Sequence, residues 1–537
     1  MTLLKNLFIF FLLGIIYGWG FPNPYTASLF YPTSISLSGY FFLILRETSY
    51  KKNIYFTLSY LCGINLMAFY WIAGTLESFG GIPYILGLLL NFCFSLIVAP
   101  YFYFFAIVLT YFNQPNRMIF FQKKYSIFFL SALFVFAEYF IPYQFPTQIG
   151  HSWMFFEGQL PLAQFGGVPL YSFISIFFCL IFAFYFKQIE FKKNIIFIPV
   201  FLTGLNFFLD HQMPMPTNKK LNTRIVQANI GNFMKLESEL GNTSVVDDIL
   251  KAYYVLSTQK SEQKLDLIIW PETAYPFSFQ SPLIKQNLQG LPQIFNDIMN
   301  SMNAEMIIGG YDRPDIDAPN WDYYMTEFNS VLHFSQKIKL KDVYHKHILL
   351  PFGETLPFGP FNKFLSKYLD SVSFFGEGKK FTEFKMRNGA RIISPICYEI
   401  LNPTFMRKYL NAQKILPHFI LNLTNDSWYG DTSEPKLHLF VAKWRALEFQ
   451  IPIIRSTNTG ISSVIFPDGS ESPRLEVGES KVLDLALNIY KTKPTIYLKY
   501  GIFINLLFWL VLFLAYYLID IISMKRSYLL ALIQRKS

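Results

Sequence analysis

Long stretches of this chain carry no Asp, Glu, Lys or Arg, and that constrains its fold more than any other feature. Residues 6–45 are one such stretch, interrupted only by the turn-forming Pro22-Asn23-Pro24, which predicts a hairpin of two spans. Residues 53–76 give a third span, and 78–116 hold a long fourth with a kink expected at Pro100. A fifth runs over about 125–143, a sixth lies within 158–186, and 194–209 is a shorter seventh. Gly501 opens an eighth, which reaches Ile519. Each is near the ~20 residues needed to cross a bilayer. Only 15% of the 537 residues are charged and 52% are hydrophobic. A soluble domain carries about 25% charged residues. Composition therefore excludes a disordered chain and a small disulfide scaffold, and indicates an integral membrane protein.

The net charge of +10 suggests a nucleic-acid partner until its distribution is read. Alternate loops hold Lys5; Arg46, Lys51 and Lys52; Arg117, Lys123 and Lys124; and Lys187, Lys192 and Lys193. The C-terminal tail adds Lys525, Arg526, Arg535 and Lys536, whereas the loops around 21–26, 77–82 and 144–167 contain no Lys or Arg. By the positive-inside rule both termini are cytoplasmic, and the region between spans seven and eight lies outside. Residues 1–20 lack a small-x-small cleavage site and read as a span, not a leader. The basic excess is topological, so no nucleic-acid partner is expected.

Residues 215–495 have ordinary composition. Short apolar runs at 224–230, 265–270, 305–310, 330–334, 391–396, 418–424 and 451–456 alternate with helical patterns at 246–258, 286–302 and 437–449. Continuously apolar strands alternating with helices predict sheets covered on their faces, hence an α/β domain. The expected division is 1–214, a seven-span domain; 215–495, a catalytic domain; and 496–537, an eighth span with a basic tail.

Three strand ends in that domain carry chemistry. Trp270-Pro271-Glu272 delivers a carboxylate, Tyr344-His345-Lys346-His347 an ammonium, and Ile396-Cys397-Tyr398-Glu399 a thiol. Each has a bland reading: a helix-start or loop acid, a basic surface, a core cysteine. Of the four cysteines, Cys62, Cys93 and Cys179 lie in apolar spans and only Cys397 lies outside them. A thiol needs a base to become thiolate, and a lysine near the carbonyl stabilises an oxyanion. Glu, Lys and Cys together supply a nucleophilic acyl-transfer site. No metal cluster or Gly-rich phosphate loop appears, so neither metal nor cofactor is expected.

The set Glu272, Lys346 and Cys397-Tyr398-Glu399 resembles the Glu-Lys-Cys triad of the nitrilase (carbon–nitrogen hydrolase) superfamily. With seven spans before the domain and one after, the whole chain resembles the bacterial apolipoprotein N-acyltransferases, the membrane-embedded branch of that superfamily. The likeness is strongest at 346–357, 396–400, 423–431, 445–448 and 455–460. It implies an extracytoplasmic αββα sandwich beside a multi-pass helical domain of about eight spans in the bacterial inner membrane. It implies acyl transfer from a phospholipid, through a Cys397 thioester, to the α-amine of a diacylglyceryl-modified apolipoprotein. Glu272 would be general base, Lys346 the stabiliser of tetrahedral intermediates, and Cys397 the nucleophile. Glu354, Tyr398 and Glu399 match further positions on which the family depends; some relatives carry Trp where Leu236 stands. A membrane-anchored amidase with the same triad is the alternative.

Four further features admit two readings each. The loop 425–431 either shapes a turn or lines the site, and Arg445 and Glu448, three apart on a helix, can pair with each other. Glu138 lies near the outer end of the fifth span, at a depth where a carboxylate suggests function. Segment 357–376 interleaves Phe361, Phe364 and Phe374 with Lys363 and Lys367, as a lid meeting acyl chains and lipid phosphate would. His151, Trp153, Phe155 and Phe156 of loop 144–167 are expected at the same interface.

Overall fold

The computed structural model describes residues 2–534 except 24, 27–28, 124, 144, 146–147, 190–192, 212, 240, 316, 318–324, 336–338, 352 and 369–372. Side chains at 2, 79–80, 193–194, 232–233, 236, 239, 520 and 523–534 are also outside the description. Expectations for Lys124, Lys192, Lys193, Leu236, Lys525, Arg526, Arg535 and Lys536 therefore fall outside the described residues. The chain divides into two compact units: 1–73, 83–212 and 495–537 form one, and 74–82 with 213–494 the other.

The first unit is helical and apolar. Among the described residues, Ala163–Phe186 and Ile502–Ile519 are long and apolar enough to cross a membrane, with a third candidate if Tyr50–Ala68 and Trp71–Ser78 count as one bent span. Leu3–Gly18, Tyr84–Phe94, Tyr101–Phe112, Ser126–Phe140 and Phe197–Phe208 are apolar but only 10–17 residues long. Helix length alone thus supports fewer crossings than the eight charge-poor segments suggest. The expected fourth span is two helices: Tyr84–Phe94 ends at a Ser95 cap, and Pro100, which has no N–H to donate, stands immediately before Tyr101–Phe112.

Small residues draw these helices together. A Cβ on Gly14 would stand 2.0 Å from the Tyr60 carbonyl oxygen, and one on Gly63 would stand 2.1 Å from that of Phe11. The buried rings of Phe10, Tyr17, Tyr40, Tyr60 and Phe102 pack around this crossing. Side-chain hydrogen bonds join the helices as well: Asn53 Nδ2 donates to Thr110 Oγ1 at 2.8 Å. Glu138 is buried and its Oε1 accepts the Ile149 N–H at 3.0 Å, tying helix Ser126–Phe140 to the turn Ile149–Phe156. That contact gives the carboxylate a structural task. In the same turn Trp153 points inward, donating its indole N–H to Ser175 Oγ at 2.8 Å, and His151 is buried, whereas Phe155 is exposed.

The second unit holds two sheets. Its strands are β1 (Pro216–Gln227), β2 (Leu267–Trp270), β3 (Ser278–Phe279), β4 (Glu305–Asp312), β5 (Phe328–Ser335), β6 (Lys339–His345), β7 (Glu383–Lys385), β8 (Arg391–Ile393), β9 (Phe419–Thr424), β10 (Ile453–Thr457), β11 (Ser463–Ile465) and β12 (Lys481–Tyr490). One sheet runs β12-β1-β2-β4-β5-β6 with β3 beside β4, and the other β11-β10-β9-β8-β7. The centre of each is parallel and its margins antiparallel. The sheets face each other: β10 packs on β1 and β2, and Thr457 Oγ1 donates to Gln227 Oε1 at 3.1 Å.

Every residue of β2, β9 and β10 is buried; β2 is apolar throughout, and β9 and β10 open on apolar residues before Asn422 and Arg455. Along β2 the alternation sends Ile268 and Trp270 to one face. There they meet Tyr253 of helix Thr243–Ser257 and Phe295 of helix Gln293–Met302. The helix expected from 286 begins only at Gln293, with Pro292 as its N-cap, since a proline interrupts helical bonding from the preceding turn.

Candidate active site

Three strand ends of the second unit converge. β2 hands over to Pro271-Glu272, and Thr273 follows with φ 48°. Gly309 of β4 makes room for this turn: a Cβ there would lie 2.3 Å from the Pro271 carbonyl oxygen. Lys346 directly follows β6, and Asn329 of β5 fixes it by accepting the Lys346 N–H at 2.9 Å on its carbonyl. Cys397 follows β8 after Ser394-Pro395-Ile396 and opens the 3₁₀ turn Cys397–Leu401 at φ 51°. A non-glycine residue in the left-handed region marks a strained elbow.

Lys346 Nζ lies 2.9 Å from Glu354 Oε1 and 3.3 Å from Glu272 Oε1. Asn329 Nδ2 donates to the same two oxygens, at 2.8 and 2.7 Å. Glu272 Oε2 accepts the Asn425 N–H at 2.8 Å, and Glu354 Oε2 accepts the Leu350 N–H at 2.8 Å. Two carboxylates, one ammonium and one amide thus form a closed cluster with all four side chains buried. Burial works against the charge of Lys346, but Glu354 and Glu272 outweigh it and hold the ammonium above the ordinary lysine range. Burial pushes the Cys397 thiol well above its usual range; Glu272 adds to this and Lys346 opposes it. At rest Cys397 is therefore a neutral thiol that feels opposing charges from Glu272 and Lys346. Its activation requires transfer of the proton, not mere ionisation in solvent.

Glu399 holds the floor of the site. Its Oε1 accepts the N–H groups of His347 (2.6 Å) and Ile348 (3.0 Å), and its Oε2 accepts the Ile396 N–H (2.7 Å) and the Tyr344 hydroxyl (2.8 Å). It thereby joins the Lys346 loop to the segment leading into Cys397. Glu399→Gln would turn one acceptor into a donor facing these groups. We expect a loss of about 1–3 kcal/mol in stability, the cost of leaving a buried donor unsatisfied, together with impaired turnover. Thermal melting of the purified protein checks it, and an unchanged midpoint would refute the bracing role.

Tyr398 donates its hydroxyl to Glu434 and stacks on His438 at 4.8 Å between ring centroids. Of the residues singled out in the sequence, Glu272, Lys346 and Glu354 share one cluster, Glu399 ties the Lys346 loop to the segment before Cys397, and Cys397 feels the charges of Glu272 and Lys346. The sequence reading did not single out Asn329, Asn422, Glu434 or His438, which the structure places around them. Asn329 and Asn422 stand in buried strands, whereas Glu434 and His438 lie on a helix with many polar residues, where the sequence carries no signal of burial. The loop 425–431 lines the site through Asn425, and Arg445 and Glu448 pair at 3.1 Å in the buried helix Glu434–Phe449. In segment 357–376, Phe361 is 71% and Phe364 59% exposed, and Lys363 and Lys367 are exposed beside them. Phe374 instead turns inward onto Leu356 and Leu365.

Residues 223–497, half of the chain, match the family model described as carbon-nitrogen hydrolase. The chain belongs to the carbon–nitrogen hydrolase family. Residues 13–181 match a second family model, the apolipoprotein N-acyltransferase N-terminal domain. An apolipoprotein N-acyltransferase of Bdellovibrio bacteriovorus is 26% identical over 93% of this chain and 93% of its own length. One of Rickettsia typhi is 27% identical over 96% and 99%. An amidase from Nesterenkonia sp. covers 53% of this chain and 95% of that one at 16% identity, with a TM-score of 0.35. Both parts of the architecture implied by the sequence resemblance are therefore found, in the implied order: an acyltransferase-type N-terminal domain, then a carbon–nitrogen hydrolase domain.

Proposed function

We propose that this protein moves an acyl chain from a membrane phospholipid to the α-amine of the N-terminal diacylglyceryl-cysteine of apolipoproteins. The observation that carries the reading is the N-terminal match over residues 13–181, preceding the hydrolase domain. An amidase acting on a small soluble amide would need no such domain. In this reading residues 1–214 and 496–537 are the inner-membrane part, and 215–495 is the catalytic domain on the outer side. The basic loops, with both termini, face the cytoplasm.

The chemistry follows from the buried cluster. Glu272 takes the proton of Cys397 as sulfur attacks the ester carbonyl, and Lys346 with the N–H of Tyr398 stabilises the oxyanion. The C–O bond breaks, Glu272 returns the proton to the leaving oxygen, and a lysophospholipid departs from a thioester. The lipoprotein amine then attacks the thioester carbonyl, giving its proton through Glu272 to the departing thiolate as the C–N bond forms. Glu354 and Asn329 fix Lys346 between the two steps. Nothing in the cycle calls on a metal or an organic cofactor. Expression in cells lacking lipoprotein N-acylation tests the reading: N-terminal acylation should return, and its failure to return with the protein inserted would contradict it.

The exposed face of segment 357–376 fits a lipid-facing lid, with Phe361 and Phe364 toward acyl chains and Lys363 and Lys367 toward lipid phosphate. Phe374, packed inward, would act as its hinge-side anchor. Phe361→Ser with Phe364→Ser should impair use of long-chain phospholipid far more than use of a short, water-soluble ester. Each buried aromatic contact is worth roughly 1.5–3 kcal/mol, which the small substrate never gains. Steady-state rates on both substrates decide it, and equal losses would make the segment structural.

A further inference from the structure

A ring of buried polar contacts encloses the carbonyl of Cys397. Asn422 Nδ2 and His438 Nε2 approach that oxygen at 3.2 and 3.3 Å. Asn422 Oδ1 accepts from Arg455 Nη1 at 2.8 Å, and Arg455 Nη2 pairs with Asp426 Oδ2 at 2.8 Å. Asp426 Oδ1 lies 3.4 Å from His438 Nδ1, which closes the ring. Because Nε2 faces a carbonyl, it must carry the imidazole hydrogen, and Nδ1 then presents a lone pair. That lone pair faces Asp426 Oδ1 and, at 3.9 Å, Glu434 Oε1. Thr424 Oγ1 donates to Asp426 Oδ1 and the Tyr398 hydroxyl to Glu434 Oε1, but neither His438 Nδ1 nor Glu434 Oε2 has a hydrogen-bond partner among the described residues. His438, Asp426 and Glu434 also stand close enough to suggest a metal. However, the guanidinium of Arg455 already neutralises Asp426, so what the group lacks is a proton.

We propose that His438 is a positioning residue for acyl transfer: a neutral imidazole whose Nε2–H clamps the Cys397 carbonyl and so holds the left-handed elbow that aims the thiol, with a protonated Glu434 keeping a second negative charge away from its Nδ1 face. The inference rests on the reading of Cys397 as nucleophile. Burial and Arg455 hold the imidazole down at about 4, so it stays neutral. Burial and Asp426 push the Glu434 carboxyl well above the carboxylate range, so it stays protonated. The groups that face this cluster are Tyr398 from the elbow turn, Thr424 from β9, Asp426 and Tyr429 from the following loop, and Arg455 from β10. Arg455 is the one cation among them, and it is committed to Asp426 and Asn422.

The sign of the pH dependence follows. As pH rises through the raised Glu434 value, the proton leaves, a second negative charge meets the His438 Nδ1 face, and the elbow loosens, so acylation slows on the alkaline side. Thioester formation on Cys397 is followed by intact mass in detergent with a diacyl phospholipid, across pH. His438→Leu should lower kcat about 10²-fold with KM held within about twofold, since misaiming a nucleophile by ~1 Å costs that much. His438→Gln, whose amide N–H can reach the same carbonyl, should recover most of the loss. Glu434→Gln, which cannot ionise, should keep rising at alkaline pH where the wild-type rate falls. A His438→Leu rate within about threefold of wild type, a Gln variant as impaired as Leu, or a Glu434→Gln profile superimposed on the wild type would each overturn the positioning role alone. Absence of any acyl adduct on wild-type Cys397 would overturn the nucleophile reading, and this inference with it.

Discussion

Replacing Cys397 by Ser is expected to abolish acyl transfer while leaving the fold in place. The exchange removes almost no volume from a buried turn, so packing around the elbow survives. What is lost is the nucleophile, because a serine hydroxyl is far harder to deprotonate than even this raised thiol, and Glu272 is a weak base for it. Turnover should fall below detection with melting behaviour close to wild type. The triple change of Cys62, Cys93 and Cys179 to Ala serves as the contrast, since these thiols lie in apolar helices of the first unit. It should retain most of the activity. Near-normal lipoprotein acylation by Cys397→Ser would remove Cys397 from the mechanism.

Lys346→Met should be nearly as damaging, through two separate effects. Chemically, one oxyanion donor is gone, which typically costs ~10²–10³ in rate. Electrostatically, Glu272 and Glu354 are left sharing the Asn329 amide with no cation between them. One carboxyl must then take up a proton, which compromises Glu272 in its proposed role as general base. Removing one partner from a buried pair typically destabilises by about 3–5 kcal/mol. Double replacement of Lys346 by Met and Glu354 by Gln separates the effects: it should regain stability without regaining rate. Normal thioester formation by Lys346→Met, with failure only at the amine step, would contradict the role assigned to the lysine.

Much of this arrangement was legible because strand ends and charge-free runs are local features. Glu272, Lys346 and Cys397 each follow an apolar strand, and all seven apolar runs of the second unit are strands. Edge strands were harder. β12 is half-exposed along most of its length and β7 has three residues, so neither shows as an apolar run. The helix Glu434–Phe449 misleads in the other direction. Its Glu434, His438, Arg445 and Glu448 look like a solvated face, yet all are buried: Arg445 and Glu448 pair with each other, while His438 and Glu434 meet Asp426 and Tyr398 from other segments. Burial of a polar residue is a tertiary fact, and nothing in its own neighbours announces it. Helix ends in the first unit are hidden for a related reason. Absence of charge marks apolar surroundings but not where backbone hydrogen bonding stops, as after Phe94, ahead of the break expected at Pro100.

Every proposed role depends on one covalent event, the transfer of an acyl chain from lipid to Cys397. Intact mass spectrometry of the full-length protein in detergent, after incubation with a phospholipid of defined acyl chains, measures it directly. The mass should rise by one fatty acid less water, with the adduct mapped to Cys397 and absent from Cys397→Ser. A diacylglyceryl-cysteine peptide should then discharge it much faster than water does, yielding N-acylated peptide. No adduct on Cys397, or an adduct that water clears as quickly as the amine, would contradict acyl transfer and favour a hydrolase.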